Sequence, residues 1–228
     1  HLFVRELDGT IKDITPEKDA KSSFYGWSKD DKHLYFGSNK RDPRFFDVYK
    51  LSIDGYASEM IYQNNDGLNY SGMSSDEHFF ALSKTMNTND SDLFLYDVKT
   101  KEMTKMNENL SANSAQDFSE DNATFYYTTD DGGEFSYLMS YDLNSKEKKK
   151  VVEKSWDIVG SGFTSKGKYM VVYTNEDGKN AIEVLDAKTM QPIDLPNFGD
   201  KSITSVNFSD DENWMRMYVG GSNSPSDL

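Results

Sequence analysis

The sequence predicts an all-β chain folded as a β-propeller, on three observations. Five bulky apolar residues, Trp27, Met73, Phe118, Phe163 and Phe208, recur at successive intervals of 46, 45, 45 and 45 residues. Each opens a similar turn: Trp27-Ser28-Lys29-Asp30-Asp31, Met73-Ser74-Ser75-Asp76-Glu77, Phe118-Ser119-Glu120-Asp121-Asn122, Phe163-Thr164-Ser165-Lys166-Gly167 and Phe208-Ser209-Asp210-Asp211-Glu212. Short strand-like runs rich in aromatic and β-branched residues flank these turns, and a period of ~40–50 residues built of such runs marks propeller blades.

The first strand of each unit, A, ends on the bulky anchor. The residue before the anchor is small or polar (Gly26, Gly72, Asp117, Gly162, Asn207), as crowding at a central channel requires. A Ser or Thr hydroxyl with nearby acidic groups then caps the turn. Strand B follows as Leu34-Tyr35-Phe36, Phe79-Phe80-Ala81-Leu82, Phe125-Tyr126-Tyr127, Tyr169-Met170-Val171-Val172 and Trp214-Met215-Arg216-Met217. Strand C is Val48-Tyr49-Lys50-Leu51, Leu93-Phe94-Leu95-Tyr96, Tyr137-Leu138-Met139-Ser140-Tyr141 or Ile182-Glu183-Val184-Leu185. Turn residues led by Asp54-Gly55, Asp97, Asp142 and Asp186 then return the chain into an outer strand D.

The expected organisation is one domain of four-stranded antiparallel blades at about 23–62, 69–107, 113–153 and 157–195. A half blade lies at each end, 1–14 in the phase of strands C and D and 203–219 in the phase of A and B. Asp227-Leu228 matches Asp92-Leu93, so a strand C begins there. The two halves are complementary, which raises the expectation that they join and close a five-bladed ring. Stopping at the start of a strand suggests a fragment. The opening, His1-Leu2-Phe3-Val4-Arg5, is already strand-like, so the natural N-terminus is expected to lie upstream.

Composition narrows the function. The 228 residues carry a formal net charge of −14, with acidic groups spread through turns, which disfavours nucleic acid as a partner. The basic run Lys146, Lys148, Lys149 and Lys150 falls in a turn between strands and reads as solvated. No apolar run approaches a membrane span, so no membrane partner is expected. With no cysteine there are no disulfides, thiol nucleophiles or thiolate metal sites.

Catalytic signals are sparse, and neither a catalytic residue, a metal nor a cofactor is expected. His33 and His78 sit at or beside A–B turns of two blades and read as solvated rather than as a metal pair. Gly160-Ser161-Gly162-Phe163 resembles a nucleophile elbow only superficially; its register puts it on an inner strand, where small residues pack. Asn87-Thr88-Asn89-Asp90-Ser91-Asp92 alternates oxygen ligands but lacks the glycine and distal Glu of a calcium loop. Among inner-strand positions only Asp117 and Asn207 stand out chemically.

One loop concentrates cations in this acidic chain: Asn39-Lys40-Arg41-Asp42-Pro43-Arg44-Phe45-Phe46-Asp47, between strands B and C of the first full blade. Two readings stand. Arg41 and Arg44 pair with Asp42 and Asp47 and lock the loop, or a guanidinium fork is presented to a carboxylate or carbonyl.

The repeat Trp27-Ser28-Lys29-Asp30-Asp31-Lys32-His33-Leu34-Tyr35-Phe36 resembles the blade motif of TolB-like and prolyl oligopeptidase propellers. The stretch from Phe24 to Trp27-Ser28, with Ser38-Asn39-Lys40-Arg41-Asp42-Pro43-Arg44-Phe45-Phe46-Asp47-Val48-Tyr49, is similar to bacterial dipeptidyl aminopeptidase and acylaminoacyl-peptidase relatives in the prolyl oligopeptidase family. So are Ala81-Leu82-Ser83-Lys84-Thr85, Asn89-Asp90-Ser91-Asp92-Leu93 and Ser224-Pro225-Ser226-Asp227-Leu228. The resemblance implies a non-catalytic propeller that caps a C-terminal α/β-hydrolase domain absent from this chain. It implies short peptides as the parent's substrates, a Ser-Asp-His triad wholly in the missing domain, and a bacterial setting, periplasmic in preference to cytoplasmic. Two other readings differ in class: a TolB-like protein-binding propeller with no hydrolase, and a propeller enzyme with its site in the channel.

Overall fold

The computed structural model describes residues 1–199, 201–221 and 224–227. Regular structure among them is strand throughout, from β1 (Phe3–Arg5) and β2 (Ile11–Asp13) to five successive antiparallel sheets. Blade 1 is β3 (Ser22–Trp27), β4 (His33–Asp42), β5 (Phe45–Ser52) and β6 (Ser58–Tyr62). Blade 2 is β7 (Asn69–Met73), β8 (Phe79–Thr85), β9 (Ser91–Asp97) and β10 (Met103–Lys105). Blade 3 is β11 (Asn113–Phe118), β12 (Thr124–Thr129), β13 (Tyr137–Asp142) and β14 (Lys148–Val152). Blade 4 is β15 (Asp157–Phe163), β16 (Tyr169–Glu176) and β17 (Lys179–Asp186); blade 5 is β18 (Ser202–Phe208), β19 (Met215–Gly221) and β20 (Ser224–Asp227).

The repeated turn does local work that its chemistry explains. The hydroxyls of Ser28, Ser74, Ser119, Thr164 and Ser209 accept the backbone N–H of His33, Phe79, Thr124, Tyr169 and Trp214 at 2.9–3.1 Å. This pins the first residue of the return strand. The fifth turn residue is left-handed in every blade: Asp31 (φ 56°), Glu77 (61°), Asn122 (53°), Gly167 (67°) and Glu212 (59°). A non-glycine residue there is unfavourable by itself. Three of the four reach back to the preceding blade. Glu77 Oε1 accepts Tyr35 Oη at 2.7 Å and Lys50 Nζ at 2.6 Å. Asn122 Oδ1 accepts the Ser75 N–H at 2.9 Å, and Glu212 Oε1 the Lys166 N–H at 2.5 Å. At the seam between blades 3 and 4 the residue is Gly167, and a Cβ there would clash with Glu120 Cβ at 2.8 Å.

Alternate strand residues pack the seams between blades. Phe79, Leu93 and Leu95 of blade 2 meet Phe118, Phe125 and Tyr127 of blade 3; Tyr126 and Leu138 of blade 3 meet Ile158, Met170 and Val172 of blade 4. Each such buried side chain contributes roughly 1.5–3 kcal/mol.

Two features differ from the sequence expectation. The outer strand of blade 4, expected before residue 195, is reduced to the single bridge Leu185–Pro192 plus the Ile193 N–H donated to Val184 O at 2.8 Å. Pro192 has no N–H to give a ladder, and Pro196 interrupts again four residues on. Among the described residues the half blades do not join: β1 and β2 pair with each other alone, while Leu2 and Val4 pack on Leu34, Phe36, Tyr49 and Leu51 of blade 1. Blade 5 ends on β20, paired to β19 through Asp227 and Ser224, so a third strand does begin at the position of Asp92; Leu228 lies outside the described residues.

Candidate functional site

Strands β4 and β5 run past the rest of blade 1 into a hairpin whose tip pairs Asp42 with Phe45. Pro43 fixes the turn, and Asp42 Oδ1 accepts the Arg44 N–H at 3.0 Å. The hairpin carries both candidate arginines and places them differently. Arg41 turns inward. Its Nε donates to Asp47 Oδ2 at 2.7 Å and its terminal nitrogen to Asp47 Oδ1 and Asn64 O, each at 2.8 Å. Asp47 is fully buried and also accepts the Asn64 N–H at 2.8 Å. Asn64 in turn bonds Leu68 through both of its amide atoms, so Arg41 holds the segment leading from blade 1 into blade 2.

Arg44 turns outward, its side chain 74% exposed. It forks onto Asp42 at 3.0 and 2.7 Å and lies 5.0 Å from the Phe45 ring centroid. Hydrogen bonds from Arg44 hold the Asp42 carboxyl down at about 2. The pairing that would lock the loop is therefore present for both arginines, and Arg44 keeps an open face beyond it.

A second polar group lies where the A strands converge. The Asp117 carboxylate bridges blades 3 and 4, Oδ1 accepting the Phe118 N–H and Oδ2 the Phe163 N–H, each at 2.8 Å. Burial pushes its pKa up. Gln116 beside it accepts the Ser161 N–H at 2.6 Å. Lys29 in the A–B turn of blade 1 reaches Glu120 in the A–B turn of blade 3 at 2.6 Å. These turns border a cleft of about 180 Å³ lined by Lys29, Ser75, Asp117, Glu120 and Phe163. Sequence reasoning singled out Asp117 as chemically unusual; it missed Gln116 and Lys29, whose roles depend on neighbouring blades.

The N-terminal β-propeller domain family of prolyl oligopeptidases matches residues 5–226. The chain belongs to that family. No curated protein matches the sequence. Among solved structures, this propeller is similar to TolB from Acinetobacter baumannii, with 18% identity over 97% of this chain and 57% of that one, at a TM-score of 0.60. It is also similar to a prolyl endopeptidase, with 15% identity over 97% of this chain and 36% of that one (TM-score 0.64). Prolyl oligopeptidase B from Galerina marginata aligns at 15% identity over 88% of this chain and 30% of that one, at 0.65. At such identities the likeness concerns the fold. The chain spans about a third of the length of these two peptidases and 57% of the Acinetobacter TolB.

The remaining sequence candidates fall apart spatially in this propeller. His78 Nε2 lies 2.9 Å from Asp97 Oδ1 and its Nδ1 3.3 Å from Lys99 Nζ, all within blade 2. His33 lies near Asp30 of blade 1, so the two histidines serve separate turns. In the calcium-like loop, Asn87 Oδ1 accepts the Asn89 and Asp90 N–H groups, while Asp92 is held by Lys105 and Asn107. Those oxygens are engaged within blade 2 and its exit. Among the described residues no group of three or more His, Cys, Asp or Glu is arranged to hold a metal.

Proposed function

We propose that this chain is the non-catalytic propeller of a serine peptidase, covering the active site of an α/β-hydrolase domain and admitting only short peptides. The family match over residues 5–226 carries the reading, because the family is defined by the propeller of prolyl oligopeptidases. In this reading the B–C hairpins face the hydrolase domain, since repeated blades of one strand order bring equivalent hairpins to one face. Arg44, exposed at the tip of the β4–β5 hairpin, is positioned to meet a peptide carboxylate or carbonyl or to brace the second domain; Arg41 is the second candidate. The carboxylate of Asp42 already occupies one edge of the Arg44 fork, which leaves donors on the other.

The test is the full-length protein. It is expected to hydrolyse short aminoacyl or peptidyl chromogenic substrates and to spare folded proteins, with Arg44→Ala lowering kcat/KM by about 10- to 150-fold at unchanged Tm. Wild-type kcat/KM in Arg44→Ala and Arg41→Ala alike overturns the arginine assignment. A full-length protein with no peptidase activity overturns the whole reading. The protein-binding propeller is then the better account, favoured by a TolB fold match that covers as much of the chain as the peptidases do.

A further inference from the structure

Inner strands have one edge without a ladder partner, and the seams of this propeller treat that edge differently. The Thr164 N–H donates to Tyr169 O, closing the β15–β16 turn. Antiparallel pairing alternates from there, so Phe163 and Ser161 point their N–H groups away from β16. At the seam between blades 3 and 4 both are satisfied, by Asp117 Oδ2 at 2.8 Å and Gln116 Oε1 at 2.6 Å.

The next seam repeats the donors without the acceptors. Ser209 N–H donates to Trp214 O, and the register Phe208–Met215, Asn207–Arg216, Val206–Met217 turns the Phe208 and Val206 N–H groups away from β19. Blade 4 presents Ser161 and Gly162 where blade 3 presents Gln116 and Asp117. Neither N–H meets a counterpart of the Gln116 and Asp117 side chains that serve Ser161 and Phe163 one seam earlier. The Ser161 Oγ is itself buried without a partner. A groove of about 310 Å³ lies here, lined by Ser161, Gly162, Tyr173, Val206, Asn207 and Phe208, within the size range of small-ligand clefts. A Cβ at Gly162 would meet only Asp117 Oδ2, at 3.8 Å. At the seam between blades 1 and 2 the edge differs: Tyr25 stacks on Tyr70 at 4.3 Å, and Met73 borders the smaller cleft of about 180 Å³ shared with Asp117 and Phe163.

From this we infer that the seam between blades 4 and 5 binds an extended peptide segment, whose carbonyls accept the Val206 and Phe208 N–H groups. The spacing selects the ligand. Donors two residues apart on a strand are about 6.6 Å apart, too far for the two oxygens of one carboxylate and matched by carbonyls i and i+2 of an extended chain. The net charge of −14 favours a neutral or basic segment over an acidic one. The inference stands whether or not a hydrolase domain is attached.

Backbone amide NMR on the chain, titrated with the neutral probe acetyl-Ala-Ala-Ala-amide to millimolar concentration, tests it. The Val206 and Phe208 amide protons are expected to shift, with those of Ser161 and Phe163 unmoved. Ser161→Gln combined with Gly162→Asp supplies to blade 5 the acceptors that blade 3 supplies to blade 4. It is expected to weaken peptide binding at least about tenfold, two hydrogen bonds being lost; Gly162→Asp alone serves if the double variant does not fold. Unmoved Val206 and Phe208 amides, equal shifts with acetate in place of peptide, or undiminished binding by the folded variant each overturn the inference.

Discussion

Arg41 and Asp47 face each other across the β4–β5 hairpin in a two-pronged ion pair, with the carboxylate fully buried and the guanidinium only partly so. Removing the cation leaves Asp47 with the Asn64 N–H and no counter-charge, and frees Asn64 O. Arg41→Ala is expected to cost about 3 kcal/mol, the scale for orphaning one member of a buried pair. For a chain of this length that is a fall in Tm of about 6–12 °C. Arg44→Ala, which strips a mostly exposed group, is expected to change stability by less than about 0.5 kcal/mol. Thermal melts of both variants check this; equal losses would refute the division of labour between the two arginines.

Glu77 sits in a left-handed conformation because its carboxylate is needed by Tyr35 and Lys50 of the preceding blade. Glu77→Ala loses those bonds and keeps the strained φ, whereas Glu77→Gly loses the bonds and relieves it. Both variants are expected to be less stable than wild type, with the glycine variant the better by about 1 kcal/mol. Urea unfolding measures the order, and an alanine variant as stable as the glycine one would show that φ is not the constraint at residue 77.

Gly37 lies on β4 beneath the Tyr25 ring, and a Cβ there would fall inside contact distance of that ring's hydroxyl and of its edge carbon at 2.9 Å. Tyr25 cannot retreat freely because it stacks on Tyr70 of blade 2. Gly37→Ala is therefore expected to cost about 1–3 kcal/mol by overpacking. It should also loosen the first seam, seen as faster hydrogen exchange in β7 than in β11.

The blades were legible because each one repeats a local rule. A hydroxyl that caps its own turn and short strands rich in aromatic and β-branched residues need no knowledge of neighbours, so Ser28, Ser74, Ser119, Thr164 and Ser209 announced the period. What was hidden depends on two blades at once. Nothing in the composition of Gln116 tells that it caps Ser161, 45 residues on, and the left-handed φ of Glu77 and Glu212 is intelligible only from the partners they reach. The outer strand of blade 4 was over-read because the repeat and the turn at Asp186 carried the blade on to 195, across Pro192 and Pro196, which have no N–H for a ladder. At the candidate site, the loop of Arg41 and Arg44 was visible as a concentration of cations, but which arginine faces inward depends on Asn64, which belongs to the next connection.

Asp117 gives a pH signature that separates it from the surface carboxylates. Surface aspartates such as Asp211, held at about 2 by its bond from Ser209, have lowered folded pKa values and contribute stability above the unfolded value that is lost in acid. Asp117 runs the other way. Burial raises its folded pKa above the ordinary 3.8, against the backbone N–H groups of Phe163 and Phe118 that favour the ionised form. Its contribution is therefore fully present below pH 3.8 and is lost as pH rises through the raised folded value. Asp117→Asn removes this titration while keeping one carbonyl acceptor between the two N–H groups. The unfolding free energy of wild type minus that of the variant is thus expected to be largest near pH 3.5 and to decline through the raised pKa to a plateau by neutral pH. Urea unfolding of both proteins across that range measures it. A difference that is flat, or that grows with pH, would mean that the Phe163 and Phe118 N–H groups outweigh burial and that Asp117 is held as a stabilised anion at the seam.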